Sequence, residues 1–388
     1  MDAHNLVFSF FMIFTGAAVL ASIALYTRQP LLVAYIVLGA ILGPFGLQYV
    51  SDTKLLSEIS HIGIIFLLFL LGLDMQPSHL LHMLKKATLV ALGSSVIFLS
   101  AGYLVSLAFG FTQTEALIIG VAMMFSSTII GIKLLPTTVL HHKHIGELVV
   151  GLLLLQDVIA ILVLLFLYSG EESNGIGSFL MTLAALPVLV VVAFGFVKYV
   201  LLKLIARFDR FHEYIFLLAI GWCLGLAEVA QRCGLSAEIG AFIAGIAIAT
   251  SPISQYIATS LKPLRDFFLI LFFFSIGASF NLGLINAIIL PSLVLAALVM
   301  VLKPTVFRFL LSRISETPQM GWEVGFRLGQ TSEFSLLIAY MAASGALIGQ
   351  EASHVIQATA ILTFLLSTYV VIFNYPSPIA VSDHLRKD

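Results

Sequence analysis

Phe125-Ser-Ser-Thr128 sets three hydroxyls in the middle of an apolar run, and 205 positions later Gly329-Gln-Thr-Ser-Glu333 sets a polar group in the middle of another. Two readings apply to such a triplet. Its hydroxyls can bond back to carbonyls of the preceding turn, as is common in membrane helices. Alternatively the helix unwinds there and presents opposed half-helix ends and free carbonyls to an ion. Recurrence at a fixed offset favours the second reading, with Ser126, Ser127 and Thr128 in one half of the chain and Thr331, Ser332 and Glu333 in the other.

The same offset relates other stretches. Ile65-Phe-Leu-Leu-Phe-Leu-Leu-Gly72 returns as Ile270-Leu-Phe-Phe-Phe-Ser-Ile-Gly277, and at the nearby offset of 201 (Gly39-Ala40 to Gly240-Ala241) Tyr35-Ile-Val-Leu-Gly-Ala-Ile-Leu-Gly43 resembles Ala237-Glu-Ile-Gly-Ala-Phe-Ile-Ala-Gly245. The chain is 60% hydrophobic and 10% charged, with a mean hydropathy of +1.09, far outside the soluble range. Thirteen apolar stretches lie near 5–26, 29–47, 59–75, 87–109, 113–135, 145–169, 178–206, 212–232, 235–251, 264–281, 284–311, 321–345 and 353–374. Several reach the roughly 20 residues that a membrane span needs. The repeat carries span 2 onto 9, span 3 onto 10 and span 5 onto 12. Seven is odd, so the halves lie inverted in the membrane, the mark of many secondary transporters.

The fold expected is therefore an all-α polytopic membrane protein of about 13 transmembrane helices, with inverted repeats and two crossed discontinuous helices. Residues 1–388 form a single membrane transport domain in this reading. An extra N-terminal helix occupies 1–28, a first repeat 29–170 with core helices at 113–169, and a linker helix 178–206. A second repeat runs over 212–374 with core helices at 284–374, followed by a short cytoplasmic tail at 375–388.

Charge gives the orientation. Of the 19 Lys and Arg residues, fifteen fall in one set of connections: Arg28, Lys85, Lys86, Lys133, Lys143, Lys198, Lys203, Arg207, Arg210, Lys262, Arg265, Arg308, Arg313, Arg386 and Lys387. Lys54 and Arg232 occupy the alternate set, and Lys303 and Arg327 lie within spans. The positive-inside rule then puts the N-terminus outside and the C-terminus in the cytoplasm. The first apolar run lacks a basic leader and reads as a retained helix rather than a signal peptide. A net charge of −1 gives no bulk electrostatic case for nucleic acid. Cys223 and Cys233 have no metal-ligand spacing and read as embedded thiols.

The costliest residue sits in Gly151-Leu-Leu-Leu-Leu-Gln-Asp-Val-Ile-Ala-Ile-Leu-Val-Leu-Leu-Phe-Leu167. Asp157 has no basic side chain within ten residues on either side. An acid at that depth must be protonated, paired or holding a cation. Counting by the repeat exposes an asymmetry: the step from Ser127 to Asp157 leads from Ser332 to Leu362, and the step from Ser332 back to Lys303 leads from Ser127 to Phe98. One half supplies the acid and the other the base, which makes Asp157 and Lys303 expected neighbours.

Gly39-Ala-Ile-Leu-Gly-Pro-Phe-Gly-Leu47, Phe69-Leu-Leu-Gly-Leu-Asp-Met-Gln-Pro77, Phe125-Ser-Ser-Thr128, Leu155-Gln-Asp157, Gly234-Leu-Ser-Ala-Glu-Ile-Gly-Ala-Phe-Ile-Ala-Gly245 and Arg327-Leu-Gly-Gln-Thr-Ser-Glu-Phe334 stand in one order along the chain. Together they resemble the monovalent cation:proton antiporter superfamily, the second cation:proton antiporter family, over about residues 28 to 345. The Gln-Asp pair is similar to the Kef-like potassium/proton branch, whereas many electrogenic sodium/proton members carry Asp-Asp. The resemblance implies a homodimer, a scaffold with a mobile core, and elevator-like alternating access in the inner (plasma) membrane of a bacterium. Two departures stand out. Gly72-Leu-Asp-Met-Gln76 replaces the Gly-Leu-Glu-Leu-Asp frequent in Kef-type members. Those systems also carry a cytoplasmic nucleotide-binding domain, and a regulatory cytoplasmic subunit or domain is not present in this chain, which reads as a truncated membrane domain or an ungated relative.

The mechanism expected is competition at Asp157. Burial favours the neutral acid and a nearby cation the charged one, so the site holds H⁺ or a dehydrated alkali ion but not both. Ser127, Thr128 and Gln156 offer neutral oxygens for K⁺ or Na⁺. With one titrating acid beside a neutral Gln156, one cation per proton is the simplest stoichiometry. Lys303 either pairs with Asp157 when no ion is bound or pins its helix, and Pro304 after it suggests a kink. Arg327 and Glu333 either neutralise half-helix ends or form a buried pair. Glu238 reads as scaffold or vestibule. His79, His82, His141, His142 and His144 fall in cytoplasmic connections, as a pH sensor or as part of the positive-inside charge. Partners are then the lipid bilayer, monovalent cations and protons, with no cofactor. A channel would not need a lone buried acid matched to a lysine in an inverted repeat. An enzyme would want histidine or metal-ligand groupings at depth.

Overall fold

A computed structural model describes residues 3–50, 53–74, 77–136, 144–172, 176–208, 210–314, 316–380, 382 and 384–386. Helices dominate these residues. They are α1 (Ala3–Tyr26), α2 (Leu31–Leu42), α3 (Thr53–Asp74), α4 (Pro77–Ala108), α5 (Gln113–Met124), α6 (Thr128–Lys133), α7 (His144–Glu172), α8 (Ile176–Phe196) and α9 (Leu202–Arg207). The second half holds α10 (His212–Arg232), α11 (Ala237–Ala249), α12 (Ile253–Ser279), α13 (Ile285–Arg313), α14 (Pro318–Arg327), α15 (Glu333–Ser344) and α16 (Gln350–Asn374). A π-helical turn at Val197–Leu201 joins α8 to α9, and a 3₁₀ turn at Leu282–Leu284 precedes α13. The chain is a multi-pass membrane protein: among the described residues eight helical stretches are long and apolar enough to cross a bilayer, and four more apolar helices have 10–17 residues. Length alone undercounts the expected thirteen because some apolar stretches are short or, as at α14–α15, interrupted, whereas Gln113–Ile132 is long enough even across its break.

Both interruptions fall where the polar triplets stand. α5 ends at Met124, and α6 starts at Thr128 after Ser127. α14 ends at Arg327, and α15 starts at Glu333 after Ser332. The two N-caps, Ser127 and Ser332, are the 205-residue pair of the sequence repeat. α13 runs unbroken through Pro291 and Pro304, so the proline after Lys303 does not end its helix.

The described chain packs as two compact units. The first comprises Met1–Val50, Met83–Ala160 and Ile276–Asp388; the second, Ser51–His82 and Ile161–Ser275. Each draws on both sequence halves. In the first, Phe98 of α4, Leu152 and Leu153 of α7, Phe307 and Leu311 of α13, and Val324 and Leu328 of α14 build the apolar core around the interruptions. In the second, α11 lies against α3 and α10.

Repeat-related glycines set the closest approaches. Gly72 of α3 meets α11, where a Cβ would stand 2.4 Å from the Phe242 carbonyl oxygen. Its counterpart Gly277 of α12 meets α2, where a Cβ would stand 1.9 Å from the Ile36 carbonyl oxygen. One pair lies wholly in the second unit and the other wholly in the first. Backbones this close leave no room for a side chain, as in small-residue packing of membrane helices. Gly277→Val is expected to cost several kcal/mol, at or beyond the roughly 1–3 kcal/mol usual for overpacking. Gly195, whose Cβ position is open, tolerates alanine. Thermal unfolding in detergent, followed by size-exclusion profile, checks both; equal midpoints for the two variants contradict the packing argument.

Candidate ion-exchange site

The site lies within the first unit, where two broken helices meet two continuous ones. Phe125 (φ −88°, ψ 149°) and Ser127 (φ −69°, ψ 119°) are extended, so the chain leaves α5 and restarts as α6. Ser127 Oγ accepts from Ile130 N–H at 3.1 Å and caps the new helix. On the other side Ser332 Oγ caps α15 by accepting from Phe334 N–H at 3.1 Å, while Ser335 Oγ accepts from Ser332 N–H at 3.3 Å. The breaks bond to one another. Ser126 Oγ donates to Leu328 O at 2.9 Å, Gln330 Nε2 to Ser127 O at 3.4 Å, and Ser335 Oγ to Ala122 O.

Lys303 on α13 is fully buried. Its ammonium donates to Phe125 O at 2.7 Å, Gln330 O at 2.7 Å and Ser126 Oγ at 3.1 Å. It also lies 5.6 Å from the centre of the Phe98 ring. Of the two roles expected for Lys303, an ion pair with Asp157 is absent among the described residues; Lys303 holds the helix breaks instead, because the carbonyls where α5 and α14 stop need a donor and carry the negative end of each helix dipole. Phe98 and Lys303, equivalent by the repeat count, meet face to ammonium.

Asp157 on α7 is 1% exposed. Its Oδ2 accepts from Thr128 Oγ1 at 2.9 Å, in the first turn of α6. Gln156 is wholly buried, and its Oε1 accepts from Ser126 N–H at 2.9 Å while its Nε2 has no partner. The oxygens of Gln156 and Ser127 are thus already engaged in holding the first break, a role the sequence reading did not give them. Thr331 N–H and hydroxyl both bond to Thr363 Oγ1, at 3.2 and 3.0 Å, which ties the second break to α16.

Glu333 and Arg327 do not form the buried pair offered as one alternative. Arg327 Nη2 bonds to Glu323 Oε1 at 2.9 Å, one turn back on α14. Arg327 Nη1 donates to Leu134 O at 3.0 Å and Nη2 to Pro376 O at 2.8 Å, so the carbonyl closing α6 meets the guanidinium. Glu333 turns instead to the start of α6, against the Ser127 hydroxyl and Ile129 N–H. It stands near enough to Asp157 for the two carboxyl groups to act on each other electrostatically. A second acid therefore shares the site, where the sequence reading counted one. Two carboxylates in one buried site hold an excess formal charge that a proton or a cation reduces.

Other expected residues lie elsewhere. Glu238 belongs to the second unit, where it forms an ion pair with His61 at 2.9 Å. His144 reaches Glu316 at 2.9 Å and Glu147 at 3.5 Å. His141 and His142, and the side chains of His79 and His82, lie outside the described residues, as do Lys143, Lys387 and Asp388. Gln330, Thr363, Ser367 and Glu323 were missed. Gln330 Oε1 accepts from Ser367 at 2.8 Å, and neutral hydroxyls in an apolar helix give no sequence signal beyond their polarity.

Paired interrupted helices around a buried acid are the architecture of the antiporter fold. The chain belongs to the sodium/hydrogen exchanger, transmembrane family, whose sequence pattern matches residues 10–373. It is 28% identical to K(+) efflux antiporter 5 of Arabidopsis thaliana over 360 residues, covering 90% of this chain and 61% of that protein. It is 29% identical to the glutathione-regulated potassium-efflux system protein KefC of Cronobacter sakazakii over 363 residues, covering 90% and 57%. The chain thus spans about three-fifths of the length of the curated relatives it matches. The sodium proton antiporter MjNhaP1 from Methanocaldococcus jannaschii superposes with a TM-score of 0.72 at 18% identity, over 95% of this chain and 98% of that one.

Lys303→Met is expected to destabilise the first unit by about 1–3 kcal/mol for each carbonyl left without a donor. Because Lys303 does not pair with Asp157, adding Asp157→Asn gives a shift equal to the sum of the two single shifts. Unfolding midpoints of the three variants check this. Recovery of stability in the double variant contradicts the assignment.

Proposed function

We propose that this chain exchanges a monovalent cation for a proton, most directly K⁺ for H⁺, with both competing for Asp157. One observation carries the reading: the two acids of the site are compensated unequally. Glu333 opens α15 and rests on the first turn of α6, so two helix N-termini meet its charge. Asp157 meets only one, that of α6, through the Thr128 hydroxyl. Glu333 is then the fixed charge and Asp157 the one that exchanges its partner. The names of the potassium-efflux relatives support K⁺ as the cation. Exchange of Na⁺ is the second reading, supported by the sodium proton antiporter that shares the fold.

The same reading makes the chain a carrier and not an enzyme, a homodimer without cofactor in the inner membrane of a bacterium. Its N-terminus faces outward and its C-terminus the cytoplasm. One proton per cation makes the exchange electroneutral. In proteoliposomes, an imposed pH gradient is expected to collapse on adding K⁺, and Na⁺, Rb⁺ and Li⁺ give the selectivity order. Asp157→Asn abolishes the collapse at every pH. Retained cation-driven proton flux in that variant contradicts the site, and a sustained current that scales with voltage contradicts electroneutrality.

A further inference from the structure

In the turn between α1 and α2, the side chains of Arg28 and Gln29 have polar atoms with no partner inside the protein. α1 closes with the double bond of a Schellman motif: Gln29 N–H donates to Ala24 O at 2.7 Å and Arg28 N–H to Leu25 O at 3.1 Å. That motif places one residue in the left-handed region, where glycine is the usual occupant. Here it is Arg28, at φ +59°. A side chain is thus kept at a position where having none is easier. Its Nη1 is buried without a hydrogen-bond partner, and so are both Nε2 and Oε1 of the neighbouring Gln29. Among the described residues no carboxylate pairs with Arg28. Three orphaned polar atoms and an uncompensated charge in two consecutive residues call for a ligand from outside the chain.

The turn's level in the membrane says where that ligand comes from. The apolar span of α1 ends at Tyr26 and that of α16 at Asn374, so residues 27–30 stand just past the hydrocarbon edge. Tyr26 is 93% exposed, and Tyr369, whose hydroxyl donates to Thr27 O at 3.5 Å, is also exposed. Tyrosines in such places mark the headgroup level. The atoms define the chemistry. Arg28 Nη1 and Gln29 Nε2 are donors, suited to a phosphate oxygen; Gln29 Oε1 is an acceptor that wants a hydroxyl or ammonium hydrogen beside that phosphate.

We propose that Arg28 and Gln29 form a binding site for an anionic glycerophospholipid whose phosphate is flanked by a hydroxyl donor, as in phosphatidylglycerol. The lipid's phosphate sits against Arg28 and Gln29 Nε2, its headgroup hydroxyl against Gln29 Oε1, and its acyl chains along the apolar surface below Tyr26. The site is separate from the exchange site and does not depend on the ion carried.

The test uses the full chain, delipidated in detergent, with Arg28→Gly and Gln29→Leu as variants. Both are expected to fold: glycine relieves the left-handed backbone, and leucine removes an unsatisfied buried amide. Native mass spectrometry and thermal unfolding then compare phosphatidylglycerol, phosphatidylcholine and glycerol 3-phosphate. Phosphatidylglycerol is expected to bind and raise the unfolding midpoint of the parent, with about 10- to 100-fold weaker binding in either variant, the effect of losing a charge-assisted hydrogen bond. Phosphatidylcholine, which lacks the hydroxyl donor, binds the parent more weakly than phosphatidylglycerol. Glycerol 3-phosphate alone gives no shift; an equal shift with it would make this a soluble-phosphate site and overturn the lipid assignment. Equal phosphatidylglycerol binding by parent and both variants would overturn the site altogether.

Discussion

A helix that stops inside a membrane leaves carbonyls with no water to bond them, and the arrangement around α5 and α14 follows from meeting that need. Lys303 does most of it: its three ammonium hydrogens go to Phe125 O, Gln330 O and Ser126 Oγ. A lysine fully desolvated on α13 is expensive, and a carbonyl without a donor at the same depth is expensive too; bringing them together removes both costs. Ser126 extends the solution by bonding to Leu328 O, so each break supplies a donor or acceptor that the other lacks. Neither interruption would be tolerable alone.

Charge then sorts itself by helix polarity. Basic groups gather where helices end: Lys303 at the close of α5 and α14, and Arg327 on the carbonyl of Leu134 that closes α6. Acidic groups gather where helices begin, with Glu333 at the start of α15 and Asp157 bonded to Thr128 at the start of α6. The dipole contribution of each half-helix therefore supports the side chain placed against it. Moving Lys303 to the acids, as simple charge pairing suggests, would strip the carbonyls and set two helix C-termini bare.

How much of this is legible in the sequence depends on what carries the information. Periodicity and offset locate the breaks to the residue, since Ser127 and Ser332 are the caps that the repeat singles out. Asp157 is legible because a carboxyl in an apolar run has no other explanation. The partner of Lys303 is not legible: a sequence displays the charges of side chains but not the partial charges of interrupted backbone, so the nearest formal opposite, Asp157, looks like the natural partner. Gln156 misleads for the same reason. Its oxygen looks free for an ion, yet the break at Ser126 exposes an N–H that claims it. The exchange of partners between α2, α3, α11 and α12 is half legible, because the repeat marks Gly72 and Gly277 as equivalent without saying which helix each one meets.

Gln156 also explains why one neutral residue beside Asp157 suffices. A second acid at that position would need a cation, and Lys303, linked to it through Ser126, has no hydrogen left to give. In formal charge Lys303 offsets Glu333, as Arg327 offsets Glu323. The sign of the whole crossover then rests on Asp157. Filled by a proton or by a monovalent cation, the site is neutral; empty, it carries one uncompensated negative charge in a medium of low dielectric constant. Under the proposed exchange, both loaded states change their exposure at similar cost while the empty one is penalised, a difference that would couple the two binding events. The neutral amide at 156 keeps the penalty at a single charge, which one proton or one cation removes completely.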